Sequence, residues 1–127
     1  MILLQRKILE WARLTFGPVA TNKNERALRL AEEAVELAQS VGVERWQVLR
    51  LVWSVYSSPA GIPEAELGGV AVTVLAAAEV LGLEFTEAAT KELARISTKK
   101  VTARCKAHQK ERRAALLTGD EFPDEKE

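Results

Sequence analysis

The sequence lacks the features that mark several classes of protein. It has one cysteine, Cys105, among 127 residues, so no disulfide can form within the chain. No apolar run reaches the roughly 18 residues that a membrane-spanning helix needs. The first seven residues, MILLQRK, lack the apolar segment of a signal peptide. We therefore expect a cytoplasmic protein with no membrane partner.

The sequence also lacks an excess of charge of either sign. Lys and Arg number 18 and Asp and Glu number 18, so the net charge is zero and gives no reason to expect a nucleic acid polymer as partner. The chain has neither a phosphate-binding loop nor a dinucleotide-binding glycine pattern. Its 47% hydrophobic and 28% charged residues are typical of one globular domain. We expect that domain at residues 1–117 and an acidic, flexible tail at 118–127.

Helical periodicity runs along nearly the whole chain, because apolar residues recur at spacings of three and four. Asn22 or Asn24 can cap the second helix, Gly42 can end it, and Pro63 suits the first turn of the fourth. Thr86 can cap the fifth helix. The predicted helices span about 3–16, 22–41, 43–57, 64–81, 87–96 and 99–116. This pattern predicts an all-α fold that resembles a four-helix bundle and carries a basic C-terminal helix.

The fourth predicted helix is apolar almost all round, which a central, buried helix requires. Together with three Trp residues, it contains more apolar surface than a bundle of this size can bury. We therefore expect a homodimer or homotetramer.

Three acids lie close together on the second predicted helix. At about 100° per residue, Glu33 and Glu36 lie about 60° apart on one face, and Glu32 is one step round the helix. Two carboxylates beside the apolar stripe would be costly without a cation. The alternative is an exposed face on which these acids form ion pairs with neighbours such as Arg29.

A further acid, Glu66, lies near the start of the most hydrophobic helix, where an inward-facing carboxylate also needs a partner. Carboxylates from two facing helices supply hard oxygen ligands, which favour Mg²⁺ or Mn²⁺. Such ions serve the cleavage of phosphoryl and nucleotidyl bonds.

The segments LAEEAVEL at 30–37 and ELGGV at 66–70 together resemble the paired signature of MazG-like all-α nucleoside triphosphate pyrophosphohydrolases, which is E-E-x-x-E followed by E-x-x-D. The resemblance covers roughly residues 3–105. It implies a Mg²⁺-dependent enzyme that splits a nucleoside triphosphate into the monophosphate and pyrophosphate. It further implies that Glu33, Glu36 and Glu66 bind metal and that Glu32 is an accessory catalytic acid or ligand. Gly69 stands where the family has Asp, so one ligand is missing from the pattern.

Phosphates need cations, and basic residues occur in two places. Lys23, Arg26 and Arg29 precede the acidic face of the second predicted helix. A second group, Lys99, Lys100, Arg104 and Lys106, begins the C-terminal helix. The resemblance implies basic residues near the phosphates after the last helix of the bundle, which favours Lys99 and Arg104 as phosphate ligands. An exposed basic helix face is the simpler alternative.

A base pocket needs aromatic faces and a few polar groups. Trp11 and Phe16 resemble in position the base-contacting region of the family, and Asn22 or Asn24 is a candidate for reading the base edge. Trp46 and Trp53 are instead expected in the core or in a subunit interface.

Two classes of function remain open at this stage. The first is a metal-dependent hydrolase of a (deoxy)nucleoside triphosphate, with dGTP or GTP as the candidate substrate, or a related enzyme of the phosphoribosyl-ATP pyrophosphohydrolase type. The second is a noncatalytic helical dimer that lost an acidic ligand at Gly69 and binds a nucleotide or another protein.

Overall fold

The computed structural model describes residues 1–118. These residues form six α-helices, a 3-10 helix and no strand, which confirms the all-α prediction. The 3-10 helix spans Gly17–Thr21, between the first two α-helices. The predicted flexible tail lies outside the described residues, except for residue 118. The α-helices are α1 (Ile2–Phe16), α2 (Lys23–Ser40), α3 (Arg45–Tyr56), α4 (Pro63–Val80), α5 (Phe85–Ile96) and α6 (Lys99–Thr118).

Local capping chemistry sets several of the helix ends. Asn22, and not Asn24, caps α2: its Oδ1 accepts a hydrogen bond from the Glu25 backbone N–H at 3.1 Å. After α2 the chain turns at Gly42, whose φ of 91° is a conformation that favours glycine. At the start of α3 the Gln47 side chain accepts from the Glu44 backbone N–H at 2.9 Å. These ends agree with the sequence prediction to within about two residues.

Helices α4 and α5 also begin near the predicted positions. Pro63 occupies the first turn of α4, where its missing N–H costs nothing. Helix α5 begins at Phe85, so Thr86 lies inside the first turn instead of capping it. The Thr90 hydroxyl donates to the Thr86 carbonyl at 2.7 Å.

The chain divides into two units. The first, the α1/α5/α6 unit, consists of residues 1–18 and the segment from residue 86 onwards, and the second, the α2–α4 unit, consists of residues 19–85. In the first unit α1 packs against α6. Ala12 and Thr15 of α1 are buried there, and so is Gln109 of α6. The prediction of one domain over 1–117 stays a prediction.

In the α2–α4 unit the buried residues are Ala20 and Glu25, and neither α3 nor α4 has a buried residue. On α4, Val72 is 69% exposed and Val80 is 88% exposed. The prediction of a central, buried α4 is therefore wrong for the single chain. The reason is that α4 has apolar residues of its own all round its surface, while the other helices of its unit make few contacts with it. The bundle arrangement and the oligomeric state stay predictions.

No single α-helix within residues 1–118 has both the length and the apolar character needed to cross a membrane, although α4 and α5 taken together pass the same test of length and hydropathy.

Candidate functional site

The acidic face of α2 brings four charged side chains together. Arg29 lies one turn before the acids, and its Nη1 is 3.3 Å from Glu32 Oε2. Its Nη2 forms a closer ion pair with Glu33 Oε1. Glu36 follows one turn later, close enough to Glu33 to help raise the pKa of its carboxyl group. We call Arg29, Glu32, Glu33 and Glu36 the α2 cluster.

Helical geometry explains this grouping, because residues three and four apart on a helix are neighbours. Arg29 reaches Glu32 at i+3 and Glu33 at i+4. Glu36 is placed beside Glu33 in the same way. The sequence prediction that Glu33 and Glu36 share one face of α2 therefore agrees with the effect of Glu36 on the pKa of Glu33.

The α2 cluster raises the pKa of Glu33 above its ordinary value. The largest cause is partial burial of the carboxyl group, although 53% of the side chain is exposed. Arg29 opposes the shift, whereas the charge of Glu36, its hydrogen bond and the charge of Glu32 add to it. The α2 cluster thus has three acids, Glu32, Glu33 and Glu36, and one cation, Arg29.

Both interpretations of the acidic run find support in this geometry. The ion pairs of Arg29 are those expected of an exposed helix face, where each contributes little to stability. The proximity of Glu33 and Glu36 is different, because two like-charged side chains on an exposed face have room to move apart. Their proximity is what a divalent cation with hard oxygen ligands would require.

Glu66 takes a different position. It lies in the first turn of α4, and its carboxylate covers Gly61 so closely that a Cβ added at Gly61 would overlap with Oε1. Within residues 1–118 no group of three or more His, Cys, Asp or Glu side chains is arranged to hold a metal ion. The structure thus brings Glu33 and Glu36 together and does not add Glu66 to them as a third ligand.

Gly69 lies one turn after Glu66 on α4. A Cβ built on Gly69 meets no atom within 4 Å, and the same is true of Gly68. The Gly69 carbonyl accepts a hydrogen bond from the Thr73 hydroxyl at 2.9 Å. There is therefore space at position 69 for the acidic side chain that the MazG-like pattern has there.

The other predicted substrate-binding residues lie in both units. Lys23 and Asn24 form the exposed start of α2, and Arg29 is engaged with the acids of the α2 cluster. Lys99 is the first residue of α6, and Arg104 lies on an exposed face of that helix. Lys99 and Arg104 thus belong to the α1/α5/α6 unit, whereas the acids belong to the α2–α4 unit.

Trp11 and Phe16 form an aromatic pair on α1. Their ring centroids are 5.5 Å apart and the rings are nearly perpendicular, at 89°. This edge-to-face arrangement is a favourable geometry for two aromatic rings. The indole N–H of Trp11 is buried and has no hydrogen-bond acceptor among the described residues.

Phe16 also lines a cleft of about 550 Å³ between α1 and α6, which we call the α1/α6 cleft. The volume lies within the range of small-molecule sites. The sequence prediction included Phe16 but missed Thr15, Gln109 and Lys110. The spacing of Ala103, Lys106, Ala107 and Lys110 puts those four on one face of α6, which could have indicated Lys110 but not Thr15 or Gln109. The lining residues are Thr15, Phe16, Ala103, Lys106, Ala107, Gln109 and Lys110.

Comparison with protein-family models, with curated proteins and with solved structures finds no match to this chain.

Proposed function

We propose that this chain is a divalent-metal-dependent hydrolase that splits a (deoxy)nucleoside triphosphate, with dGTP or GTP as the candidate, into the monophosphate and pyrophosphate. The observation that carries the proposal is the grouping of Glu32, Glu33 and Glu36 on α2, where Arg29 contacts the first two and Glu36 helps raise the pKa of Glu33. The resemblance of residues 30–37 and 66–70 to the MazG-like signature supplies the reaction. Neither support is sufficient without the other, since an acidic pair alone specifies no substrate.

The carboxylates of Glu33 and Glu36 fit a hard divalent cation, because each offers oxygen ligands and together they carry excess negative charge. Glu32 lies beside them as a further ligand or as a group that orients water. Glu66 would complete the set by turning away from Gly61. When bound, Mg²⁺ or Mn²⁺ would neutralise phosphate oxygens and activate the attacking water.

The remaining candidates bind substrate in this proposal. Arg29 is held next to the acids and can donate to a phosphate oxygen once a cation offsets Glu32 and Glu33. Lys23, Lys99 and Arg104 supply further positive charge for the triphosphate. Trp11 and Phe16 contact the base, and Asn24 reads its edge.

A second copy of the chain is the proposed partner, as a homodimer or homotetramer. Exposed apolar side chains on α3 and α4 support this, because large apolar patches on a protein surface mark interaction sites. Trp53 is 80% exposed and Tyr56 is 86% exposed on α3. Val72 and Val80 of α4 are exposed as well.

Release of pyrophosphate from eight common nucleoside triphosphates, with Mg²⁺, with Mn²⁺ and with neither, tests the proposal. We expect metal-dependent turnover that falls at least about a hundredfold in Glu33→Gln and in Glu66→Gln, since each change removes ligand charge and keeps the volume. Glu79→Gln is the matched control, because Glu79 is an exposed acid of α4 outside the signature. The hydrolase is contradicted if no triphosphate turns over, or if Glu33→Gln and Glu79→Gln behave alike.

A second candidate is favoured by the position of Glu66 against Gly61, away from the α2 cluster. In it, the chain is a noncatalytic helical dimer that binds a nucleotide or a protein. Equal binding of a triphosphate by the wild type and Glu33→Gln, without pyrophosphate release, would support it. Phosphoribosyl-ATP belongs in the same panel, because a related pyrophosphohydrolase would cleave it and leave the common triphosphates intact.

A further inference from the structure

Apart from Phe16, the residues that line the α1/α6 cleft have no part in the proposed hydrolysis. The cleft lies wholly within the α1/α5/α6 unit, and none of its lining residues is an acid. Two of them, Lys106 and Lys110, are cations. Any ligand of this cleft is therefore recognised by groups other than carboxylate-bound metal.

The two lysines lie one turn apart on the same face of α6. Like charges at this spacing disfavour a helix, and neither lysine forms an ion pair with any described residue. An anion between them would remove the repulsion and accept hydrogen bonds from both ammonium groups. A phosphate group fits this description, since it offers several acceptor oxygens.

The opposite wall of the cleft has an aromatic ring. Phe16 is fixed by its edge-to-face contact with Trp11, so its ring is ordered before any ligand arrives. A fixed ring loses little freedom when another ring packs on it. This wall favours a ligand with an aromatic group.

Two buried polar residues also line the cleft. Thr15 is only 7% exposed and Gln109 only 9% exposed, yet both line the cleft. A hydroxyl and a carboxamide supply both donors and acceptors, which is what recognition of a heteroaromatic edge needs. A purely apolar ligand would leave these groups without partners.

From this combination we propose that the α1/α6 cleft is a metal-independent binding site for a small aromatic phosphate of the size of a nucleoside monophosphate. The phosphate lies between Lys106 and Lys110, the ring packs on Phe16, and Thr15 and Gln109 bind the ring edge. The site goes beyond the proposed hydrolase, because it needs neither the α2 cluster nor a metal.

Calorimetric titration of the full chain in EDTA tests the site, with AMP as the probe and adenosine and inorganic phosphate as its two halves. We expect AMP to bind with a dissociation constant below about 1 mM and at least about tenfold more tightly than either half. Lys106→Ala and Lys110→Ala should each weaken AMP about tenfold. Lys100→Ala is the matched control, since it removes the same charge from α6 at a position outside the cleft, and it should change the affinity by less than about twofold.

A second readout locates the ligand. The nitrogen-15 spectrum has three Trp indole signals, from Trp11, Trp46 and Trp53, and a Trp11→Phe variant assigns the first. AMP should shift the Trp11 signal more than the other two, because Trp11 contacts the cleft residue Phe16. The proposal is overturned if AMP binds no better than phosphate, if Lys100→Ala matches Lys110→Ala, or if the Trp11 signal does not move. Because the titration is done in EDTA, a negative result would not bear on the metal-dependent hydrolase. In the same way, a lack of hydrolase activity would not bear on this binding site.

Discussion

Helices α2 and α4 each have 18 residues and belong to the same unit, but their surfaces differ. On α2, charged residues are grouped on one face as the α2 cluster, and local ion pairs partly balance them. On α4, apolar residues occur all round and none is buried. The contrast teaches that ion pairs between neighbours partly offset the charges of α2, whereas the apolar surface of α4 requires a partner that the single chain does not supply.

The largest expected effect concerns that partner. Val72→Lys places a charge on the exposed apolar surface of α4, and burying an unpaired ammonium group in an interface costs several kcal/mol. We expect the wild type to sediment at about twice the 14.0 kDa of one chain or more, and the variant to sediment as a monomer. Gln39→Lys, at an exposed position of α2, should leave the oligomer intact. The distinction between the two helices would be contradicted if the wild type were a monomer, or if both variants lost the oligomer to the same extent.

The next effect tests whether α4 can supply the missing acid. Gly69→Asp introduces a carboxylate where a Cβ meets no atom within 4 Å, so the change should be tolerated. If α4 faces the α2 cluster in the assembled protein, Mn²⁺ should bind about tenfold more tightly by calorimetry, since an added ligand charge strengthens binding of a hard cation.

The neighbouring glycine offers the control for this test. Gly68→Asp adds the same charge one position round the helix, also in open space, and should have little effect on Mn²⁺ affinity. Equal gains in both variants would indicate general electrostatic attraction instead of a ligand at position 69.

A smaller effect is expected on stability. Glycine inside a helix is less favourable than alanine, and α4 has two adjacent glycines where α2 has none. Gly68→Ala should therefore raise the free energy of unfolding by about 0.5–1 kcal/mol in chemical denaturation. The reverse change at an exposed site of α2, Ala27→Gly, should lower it by a similar amount. A loss of stability in Gly68→Ala would mean that another chain approaches α4 closely at this position.

The smallest effect is a dependence on pH from Glu33. The folded protein raises the pKa of Glu33, mainly through partial burial and then through Glu36, and so binds the proton more tightly than the unfolded chain. The free energy of unfolding should therefore fall as the pH rises from the ordinary carboxyl pKa through the folded-state pKa. Glu33→Gln should lack this decline when melting temperatures are compared between about pH 4 and pH 7. The fall in stability with rising pH should also be smaller when Mn²⁺ is present. If the wild type instead gains stability relative to the variant over this pH interval, the raised pKa of Glu33 is contradicted.

The sequence predicted what depends on neighbours along the chain. The Asn22 cap, the turn at Gly42 and the start of α4 at Pro63 are set within a few residues, so the pattern identifies them. The proximity of Glu33 and Glu36 follows from helical periodicity in the same way.

Features that depend on packing or on rotamers could be predicted less well from the sequence. The exposure of Val72 could not be predicted, because an apolar helix has the same pattern whether its partner lies in its own chain or in another. The position of the Glu66 carboxylate depends on side-chain torsions, which spacing does not specify. The pairing of Phe16 with Lys110 around one cleft depends on how α1 packs against α6.

The contact between Glu66 and Gly61 has a genetic consequence. Glycine codons become alanine codons through one nucleotide change, and the methyl group gained would occupy the space of the Glu66 carboxylate. The side chain is long and flexible, so it would rotate to another conformer while its charge and its helix stayed the same. A single point mutation outside the two acidic segments could thereby redirect the Glu66 carboxylate, and inherited variation at Gly61 would alter the protein without altering any of its clustered acids.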